Sequence, residues 1–286
     1  MTEHKTRQGQ ATALDRLHGF SITGNSAAMR QQMLDDIFVL QDIAILGQWT
    51  AIFGAPNSGK TLLTLFLLRE TLQKAQLDPD RIFYINADDH FKGLTEKVGL
   101  AEEWGFHMLA PNQAGFKNSE IIQLMVELGE TGEARGIVIF LDTAKKFFDI
   151  MSKREAADFG KVSRNFVSSG GSIFALSHVN KHKNSEGKSI YSGVSDLVDD
   201  ADCAFIADVV AEQNLNGERV VEFTNHKCRG DVARKATFSY SRQQGQTYLE
   251  LIDSVRRLDD EKAEEVKLSA AVSKKLDEDQ DAITAI

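Results

Sequence analysis

The sequence predicts an α/β protein: a mainly parallel, twisted sheet with helices on both faces and antiparallel strands at the C-terminal end. Three observations predict it. From residue 48 onward, short apolar runs alternate with amphipathic stretches, the pattern of parallel strands joined by crossover helices. Around residues 49–68 an apolar run, a glycine-bearing turn and a second apolar run follow one another directly, as a strand–loop–helix does. After Asp202 the runs are separated by turn-like segments such as Asn214-Leu215-Asn216-Gly217, which suits hairpins.

Taken in order, residues 1–47 begin polar and turn mixed and apolar from 29 to 46, which reads as an N-terminal arm and helix leading into the core. The core spans 48–252. Its expected strands are 49–54, 82–87, 106–110, 136–142 and 172–178, and its expected helices are 59–76, 91–100, 118–129 and 154–168. The runs at 203–210, 219–224, 235–241 and 246–252 finish the sheet as hairpins. Residues 253–286 contain no Gly or Pro and read as an acidic helical tail. Within 250–286 there are 11 acidic and 6 basic side chains. No internal repeat or low-complexity tract is present.

A chain of 286 residues can bury a substantial core, and 42% apolar with 26% charged residues is ordinary for a globular protein. No apolar run approaches the roughly 20 residues a membrane helix needs. The start, Met1-Thr2-Glu3-His4-Lys5, lacks the apolar core of a secretory signal. Cys203 and Cys228 form no C-x-x-C pair, which argues against zinc and against a disulfide scaffold, so a cytoplasmic location is expected.

The residues with chemistry begin at Gly54-Ala55-Pro56-Asn57-Ser58-Gly59-Lys60-Thr61, which matches G-x-x-x-x-G-K-[ST], the nucleotide P-loop. Gly54 and Gly59 let the backbone curl until its N–H groups point inward at phosphate, aided by the positive end of the following helix. Lys60 supplies a point charge to the β- and γ-phosphates, and the Thr61 hydroxyl suits Mg²⁺. The expected cofactors are therefore ATP and Mg²⁺. The apolar run 136–142 ends in Asp142, the Walker B pattern, whose carboxylate would hold the metal beside Thr61. The run 82–87 ends in Asp88-Asp89. Hydrolysis needs a group that aligns water, for which Asp88 is the first candidate and Asp89 the second, the alternative being a helix N-cap pair. The strand 172–178 ends in His178, which could contact the γ-phosphate or be a satisfied polar residue. Lys227 and Arg229 lie two apart, so in a strand both cations share one face. They read either as a solvated hairpin tip or as a finger offered to a neighbour's nucleotide.

In this order the motifs resemble the RecA-like ATPases, and within them the ring-forming replicative helicases of the DnaB and small plasmid RepA types. Tyr84-Ile85-Asn86-Ala87-Asp88-Asp89 is similar to a strand that ends in Glu-Asp in the plasmid helicases, which puts Asp88 on the catalytic Glu. Ala175-Leu176-Ser177-His178-Val179-Asn180-Lys181 resembles the family's Leu-Ser-Gln segment. Val198-Asp199-Asp200-Ala201-Asp202-Cys203-Ala204-Phe205 is similar to its Gln-Asp-Ala-Asp signature. His226-Lys227-Cys228-Arg229-Gly230 resembles a Lys-x-Arg-x-Gly hairpin that in that family crosses a subunit interface. The resemblance covers roughly residues 45–252. It implies a RecA-like P-loop core, a homo-oligomeric ring, commonly a hexamer, and single-stranded DNA as partner. Two residues depart from it: Asp88 is one methylene shorter than Glu, and His178 replaces Gln. No long N-terminal primase-related domain precedes the core.

Charge is uneven along the chain. The window 143–193 carries nine cations against four acids inside a protein of net charge −9. Lys145 and Lys146 follow the Walker B strand, and Lys181, Lys183 and Lys188 follow His178. RecA-like rings line their pore with loops from these two places, so these lysines are the expected phosphate-backbone contacts, with Phe147 and Phe148 able to stack on bases or to fill the core. The leading expectation is thus an ATP-hydrolysing ring acting on single-stranded nucleic acid, a replicative-type helicase. The alternative is a RecA- or KaiC-like regulatory ATPase without unwinding activity. A small-molecule kinase fits less well, because no arginine-rich lid is visible. The tail at 253–286 offers a broken apolar stripe for a partner protein.

Overall fold

The computed structural model describes residues 12–31, 37–149, 152–178, 195–213, 217–241 and 243–284, and the chain divides into two compact units, Met1–Asp35 and Asp36–Ile286. In the first unit lie α1 (Ala13–Gly19) and α2 (Ser26–Gln31). A capping box starts α1: the Asp15 N–H donates to Thr12 Oγ1 (3.1 Å) and the Thr12 N–H donates to Asp15 Oδ2 (2.9 Å).

The second unit opens with β1 (Phe38–Leu40) and β2 (Ala44–Ile45), a small antiparallel pair where the sequence suggested a helix. Its main sheet then forms in the chain order β3 (Trp49–Gly54), α3 (Lys60–Gln73), β4 (Ile82–Asn86), α4 (Phe91–Trp104), β5 (His107–Leu109), α5 (Asn118–Thr131), β6 (Val138–Asp142), α6 (Lys153–Ser168), β7 (Ser172–His178) and α7 (Ser195–Asp200). The antiparallel part follows: β8 (Cys203–Gln213), β9 (Glu218–Lys227), β10 (Lys235–Ser241), α8 (Tyr248–Ser254), β11 (Arg256–Leu258) and α9 (Asp260–Thr284). Nine strands hydrogen-bond in the order β11-β10-β9-β8-β3-β7-β6-β4-β5. From β8 to β5 neighbours run parallel, and from β8 to β11 antiparallel.

Handedness explains which helices share a face. From β3 the chain moves outward through β4 to β5, then returns through β6 and β7, and finally passes beyond β3 to β8. Right-handed crossovers must change face when the direction reverses. Accordingly α3 and α4 pack with α8, whereas α5, α6 and α7 pack together. The central strands meet helices on both faces, so they read as continuous apolar runs: β3 and β6 are buried throughout. Toward α5 and α6 point Trp49, Phe53, Ile139 and Ile173, joined by Phe159 and Phe166. Toward α3 lies an aromatic row in which Phe140 sits 5.2 Å from Tyr84 and 4.8 Å from Phe174 between ring centroids. No helix among the described residues is long and apolar enough to cross a membrane.

Two expectations fail at the C-terminal end. The run 246–252 is not a hairpin strand but the start of α8, because Thr247 and Glu250 form a capping box that nucleates a helix: the Thr247 N–H donates to Glu250 Oε2 (2.7 Å) and the Glu250 N–H to Thr247 Oγ1 (3.2 Å). The tail is mostly helical, as expected, but it is not one continuous helix from residue 253: Asp253 and Ser254 still belong to α8. Arg256–Leu258 first adds an edge strand, with Thr237 opposite Leu258, and α9 begins only at Asp260.

Phe140 is fully buried between two aromatic rings. Phe140→Ala should therefore cost about 3–5 kcal/mol in a urea unfolding experiment, whereas a cost under about 1 kcal/mol would show that the row repacks.

Candidate functional site

β3 delivers the chain to Gly54, level with His178 of β7 on one side and Ala207 of β8 on the other. The loop 54–59 then turns into α3. Two positions there accept nothing larger than glycine. A Cβ on Gly54 would lie 2.7 Å from the Ala207 carbonyl oxygen and 2.7 Å from Ser58 Oγ. Gly59 has φ +88°, and a Cβ on it would meet the Tyr240 hydroxyl at 2.8 Å. No side chain caps α3, so its first N–H groups face the loop without a side-chain acceptor.

Lys60 is buried and folds back over its own loop. Its Nζ donates to the carbonyls of Gly54 (2.8 Å) and Ala55 (2.9 Å). Burial lowers its pKa to about 8, against the opposing pull of Asp142 and Asp88. Thr61 Oγ1 donates to Asp142 Oδ2 at 2.7 Å, and the same oxygen accepts from the Tyr84 hydroxyl at 2.8 Å. Burial raises the Asp142 pKa, while Lys97 and the two hydroxyls pull it back. Burial also raises the Tyr84 phenol well above its usual value. Tyr84 therefore stays a hydrogen-bond donor that orients Asp142.

The next strand ends complete the mouth. Asp88 is exposed, with Oδ1 3.6 Å from Lys146 Nζ and Oδ2 3.6 Å from His178 Nε2. Burial, then Lys60 and Lys145, lower the His178 pKa, so its ring is neutral at pH 7. Its buried Nδ1 has no hydrogen-bond partner among the described residues. Asp89 is committed elsewhere, accepting from Asn86 Nδ2 (2.6 Å) and ion-paired with the buried Lys97. Neither carboxylate caps the following helix, since the N-cap of α4 is His90.

These groups share one cavity of about 700 Å³. Its remaining walls come from residues that sequence patterns did not single out: Lys97, Arg219, Tyr240, Tyr248 and Leu251. Arg219 is buried on β9, opposite Glu212 of β8 and Tyr240 of β10. It donates to the carbonyl of Asn57, the loop residue held at φ +60°, and pairs with Glu212. Tyr248 stands with its ring 4.8 Å from Lys97 Nζ. A clue lay in the alternation of β9, which directs a charged residue into a buried row at Arg219.

The other expected residues fall in different places. Lys145 lines the cavity and Lys146 pairs with Asp88, so both turn toward this mouth. Phe148 is buried and stacks on Phe159 (4.1 Å), and Phe147 packs partly buried against the same cluster; both belong to the core, not to a base-stacking surface. Lys181, Lys183 and Lys188 lie outside the described residues. Lys227 and Arg229 sit at the opposite, amino-terminal edge of the sheet, because β9 runs antiparallel and Lys227 faces Ala204. Four residues of β8, about 13 Å, separate that edge from the loop. There Lys227 Nζ donates to the last carbonyls of α7, at Val198 (3.0 Å) and Asp199, a favourable place for a cation. Arg229 Nη1 donates to Asp202 Oδ1 (3.1 Å), a carboxylate also held by Arg164 and by the Trp49 N–H.

The fold and cavity define a doubly covered α/β protein with a charged cavity at the carboxyl ends of its parallel strands, the usual place for a ligand in such sheets. No protein-family model matches this chain, and no curated protein matches it significantly. Chemically, uncapped helix N–H groups and a buried ammonium can hold a polyanion. Thr61 Oγ1 and the Asp142 carboxylate, in contact with each other, offer the oxygen donors a hard divalent cation prefers. Among the described residues no group of three or more His, Cys, Asp and Glu is placed to hold a metal by itself.

An anion at the loop should restore the full charge of Lys60. At pH 8, near the Lys60 pKa of about 8, binding of sulfate, a dianion that does not itself titrate in this range, is expected to take up about half a proton, and at pH 6 almost none. Calorimetry in two buffers of different ionisation enthalpy measures this. Uptake that persists in Lys60→Ala would assign the proton to another group.

Proposed function

We propose that this chain is a Mg²⁺-dependent nucleoside triphosphatase of the RecA-like, ring-forming kind, with ATP at the P-loop 54–61. The observation that carries the reading is convergence. Lys60, the Thr61–Asp142 pair, Asp88 and His178 come from four parallel strand ends and face one cavity. In this reading Lys60 leaves its loop carbonyls for the β- and γ-phosphates, and Thr61 with Asp142 behind it holds Mg²⁺. Bound there, the metal draws charge from the phosphate oxygens. Asp88 aligns a water and takes its proton as the water oxygen attacks the γ-phosphorus and the bond to the β-bridging oxygen breaks. Neutral His178 contacts the γ-phosphate and registers its loss.

The positions of Lys227 and Arg229 support the oligomeric half of the reading. At the far edge of the sheet they cannot reach their own cavity, so in this reading they would leave their in-chain partners, Lys227 the Val198 and Asp199 carbonyls and Arg229 the Asp202 carboxylate, for a neighbour's nucleotide. A ring acting on single-stranded nucleic acid, as a replicative-type helicase does, is the form of this activity that the motif order favours. One observation favours the regulatory alternative. The shorter carboxylate of Asp88 is shared between Lys146 and His178, which suits slow turnover.

Three variants test the proposal. Lys60→Ala should abolish ATP hydrolysis, and Asp88→Ala should lower kcat about 10²–10⁴-fold. Arg229→Ala should lower it about 10³–10⁵-fold, and mixing it with Lys60→Ala should restore part of the activity, because each supplies what the other lacks. No rescue on mixing would place Arg229 outside the reaction. Stimulation by single-stranded DNA marks the motor; a low rate indifferent to DNA marks the regulatory form.

A further inference from the structure

Cys203 and Cys228 are the chain's two cysteines, 25 residues apart in sequence, and the fold brings them together. β8 begins at Cys203, β9 ends at Lys227, and the ladder pairs Ala204 with Lys227. Cys203 directly precedes that last pair on β8 and Cys228 directly follows it after β9, and the two thiols lie near enough to perturb each other. Residues directly opposed in an antiparallel pair hold their Cα atoms about 4.5–5.5 Å apart. A disulfide spans roughly 4.4–6.8 Å between Cα atoms, a range that includes the spacing of the adjoining Ala204–Lys227 pair.

Both sulfurs also lie against the turn that carries Arg229. Cys203 Sγ is 3.7 Å from the Arg229 carbonyl oxygen, and Cys228 Sγ is 2.8 Å from that of Gly230. On the other side, Gln48 Oε1 lies 3.5 Å from Cys203 Sγ while Gln48 Nε2 donates to the Arg229 carbonyl at 2.8 Å. Cys228 is exposed and Cys203 fully buried, the asymmetry of an attacking and a resolving thiol.

We propose that Cys203 and Cys228 are a reversible redox pair whose disulfide, formed at the expense of a small-molecule disulfide such as oxidised glutathione, pins the Arg229 turn to the start of β8. The Cys228 thiolate attacks one sulfur of the oxidant, forming a mixed disulfide and releasing one small thiolate. Cys203 gives its proton to solvent, attacks the Cys228 sulfur and expels the second small thiolate. Two protein thiols are thereby oxidised and one small-molecule disulfide is reduced to two thiols. Burial pushes the Cys203 thiol up to about 11, so ring closure is the slow step and accelerates as pH rises. The consequence for activity rests on the reading proposed above: a pinned turn holds Arg229 on Asp202 of its own chain and withdraws it from a neighbour.

The test incubates the full chain with oxidised glutathione, blocks remaining thiols and maps the peptides by mass spectrometry. The expected result is an internal 203–228 disulfide, reversed by dithiothreitol, with slowed amide exchange over 226–230. Cys203→Ser should instead stop at a stable glutathione adduct on Cys228. An adduct that persists on Cys228 in the wild-type chain, or a dimer cross-linked through Cys228, would overturn the pairing. ATP hydrolysis, followed in parallel with Lys60→Ala as blank, should fall toward the Arg229→Ala level on oxidation and remain insensitive to oxidant in Cys228→Ser. A disulfide that forms without changing the rate would keep the pairing and remove its effect on activity. Absence of any hydrolysis in the reduced wild type would count against the triphosphatase reading while leaving the thiol chemistry measurable.

Discussion

The site depends on the register of the parallel ladder. Gly54 is level with His178 and Ala207, and Asn86 with Asp142, so the glycine loop and the polar strand ends emerge at one height. Nothing below that height is polar on β3 or β6 except Thr50. A slip of one residue would turn Asp142 toward the opposite face and drive apolar side chains into the mouth. Register is therefore enforced by the core and used at the edge. The buried carboxylate at Asp142 is tolerable there because Thr61 and Tyr84 both donate to it and Lys97 stands near. Tyr84 belongs to the aromatic row, so the packing that stabilises the sheet also aims the carboxylate.

A second polar centre stands at the other edge. Asp202 accepts from the Trp49 N–H and from Arg164 as well as Arg229, and Arg164 also reaches the Asp200 carbonyl. This redundancy matters for the proposed role of Arg229. A buried carboxylate stripped of its only cation would be costly, whereas Asp202 keeps Arg164 and a backbone donor when Arg229 leaves. Arg229 is more than half exposed, and a pair of that kind holds with about 0–1 kcal/mol. The guanidinium can therefore be exchanged between its own chain and a neighbour at small cost. A covalent tie between Cys203 and Cys228, flanking this pair, would bias that exchange far more strongly than the ion pair does.

Much of this was legible in the sequence because local signals and fold agreed. The apolar runs of β3, β6 and β7, and the glycines at 54 and 59, named their own structures. What escaped is what depends on tertiary arrangement. Arg219, Tyr240 and Tyr248 enter the cavity from the antiparallel strands and from α8, which fold back beside the loop only because β8 joins the sheet next to β3. Periodicity cannot reveal that. The helix at 248–254 was hidden for a different reason: seven residues are too few to display a period, and only the Thr247-x-x-Glu250 box marks its start. Sequence ranked Asp88 ahead of Asp89 only by resemblance, and the ion pair of Asp89 with Lys97, brought round by α4, is the physical difference between them.

That separation bears on how fast the proposed hydrolysis can run. Asp89 is tied to a buried lysine and cannot move to a water without leaving Lys97 unpaired. Asp88 is exposed, and its two partners stand at 3.6 Å, beyond hydrogen-bond length. Contacts so loose cost little to break, so of the two carboxylates Asp88 is the more readily moved, as the proposed role requires. On the proposed reading, the shorter side chain of Asp88 would have to cover the distance a glutamate spans, and a neighbour's cation at the γ-phosphate would supply charge that this chain's own Arg229, held on Asp202, does not. Turnover would then follow assembly more closely than it follows the intrinsic strength of the base.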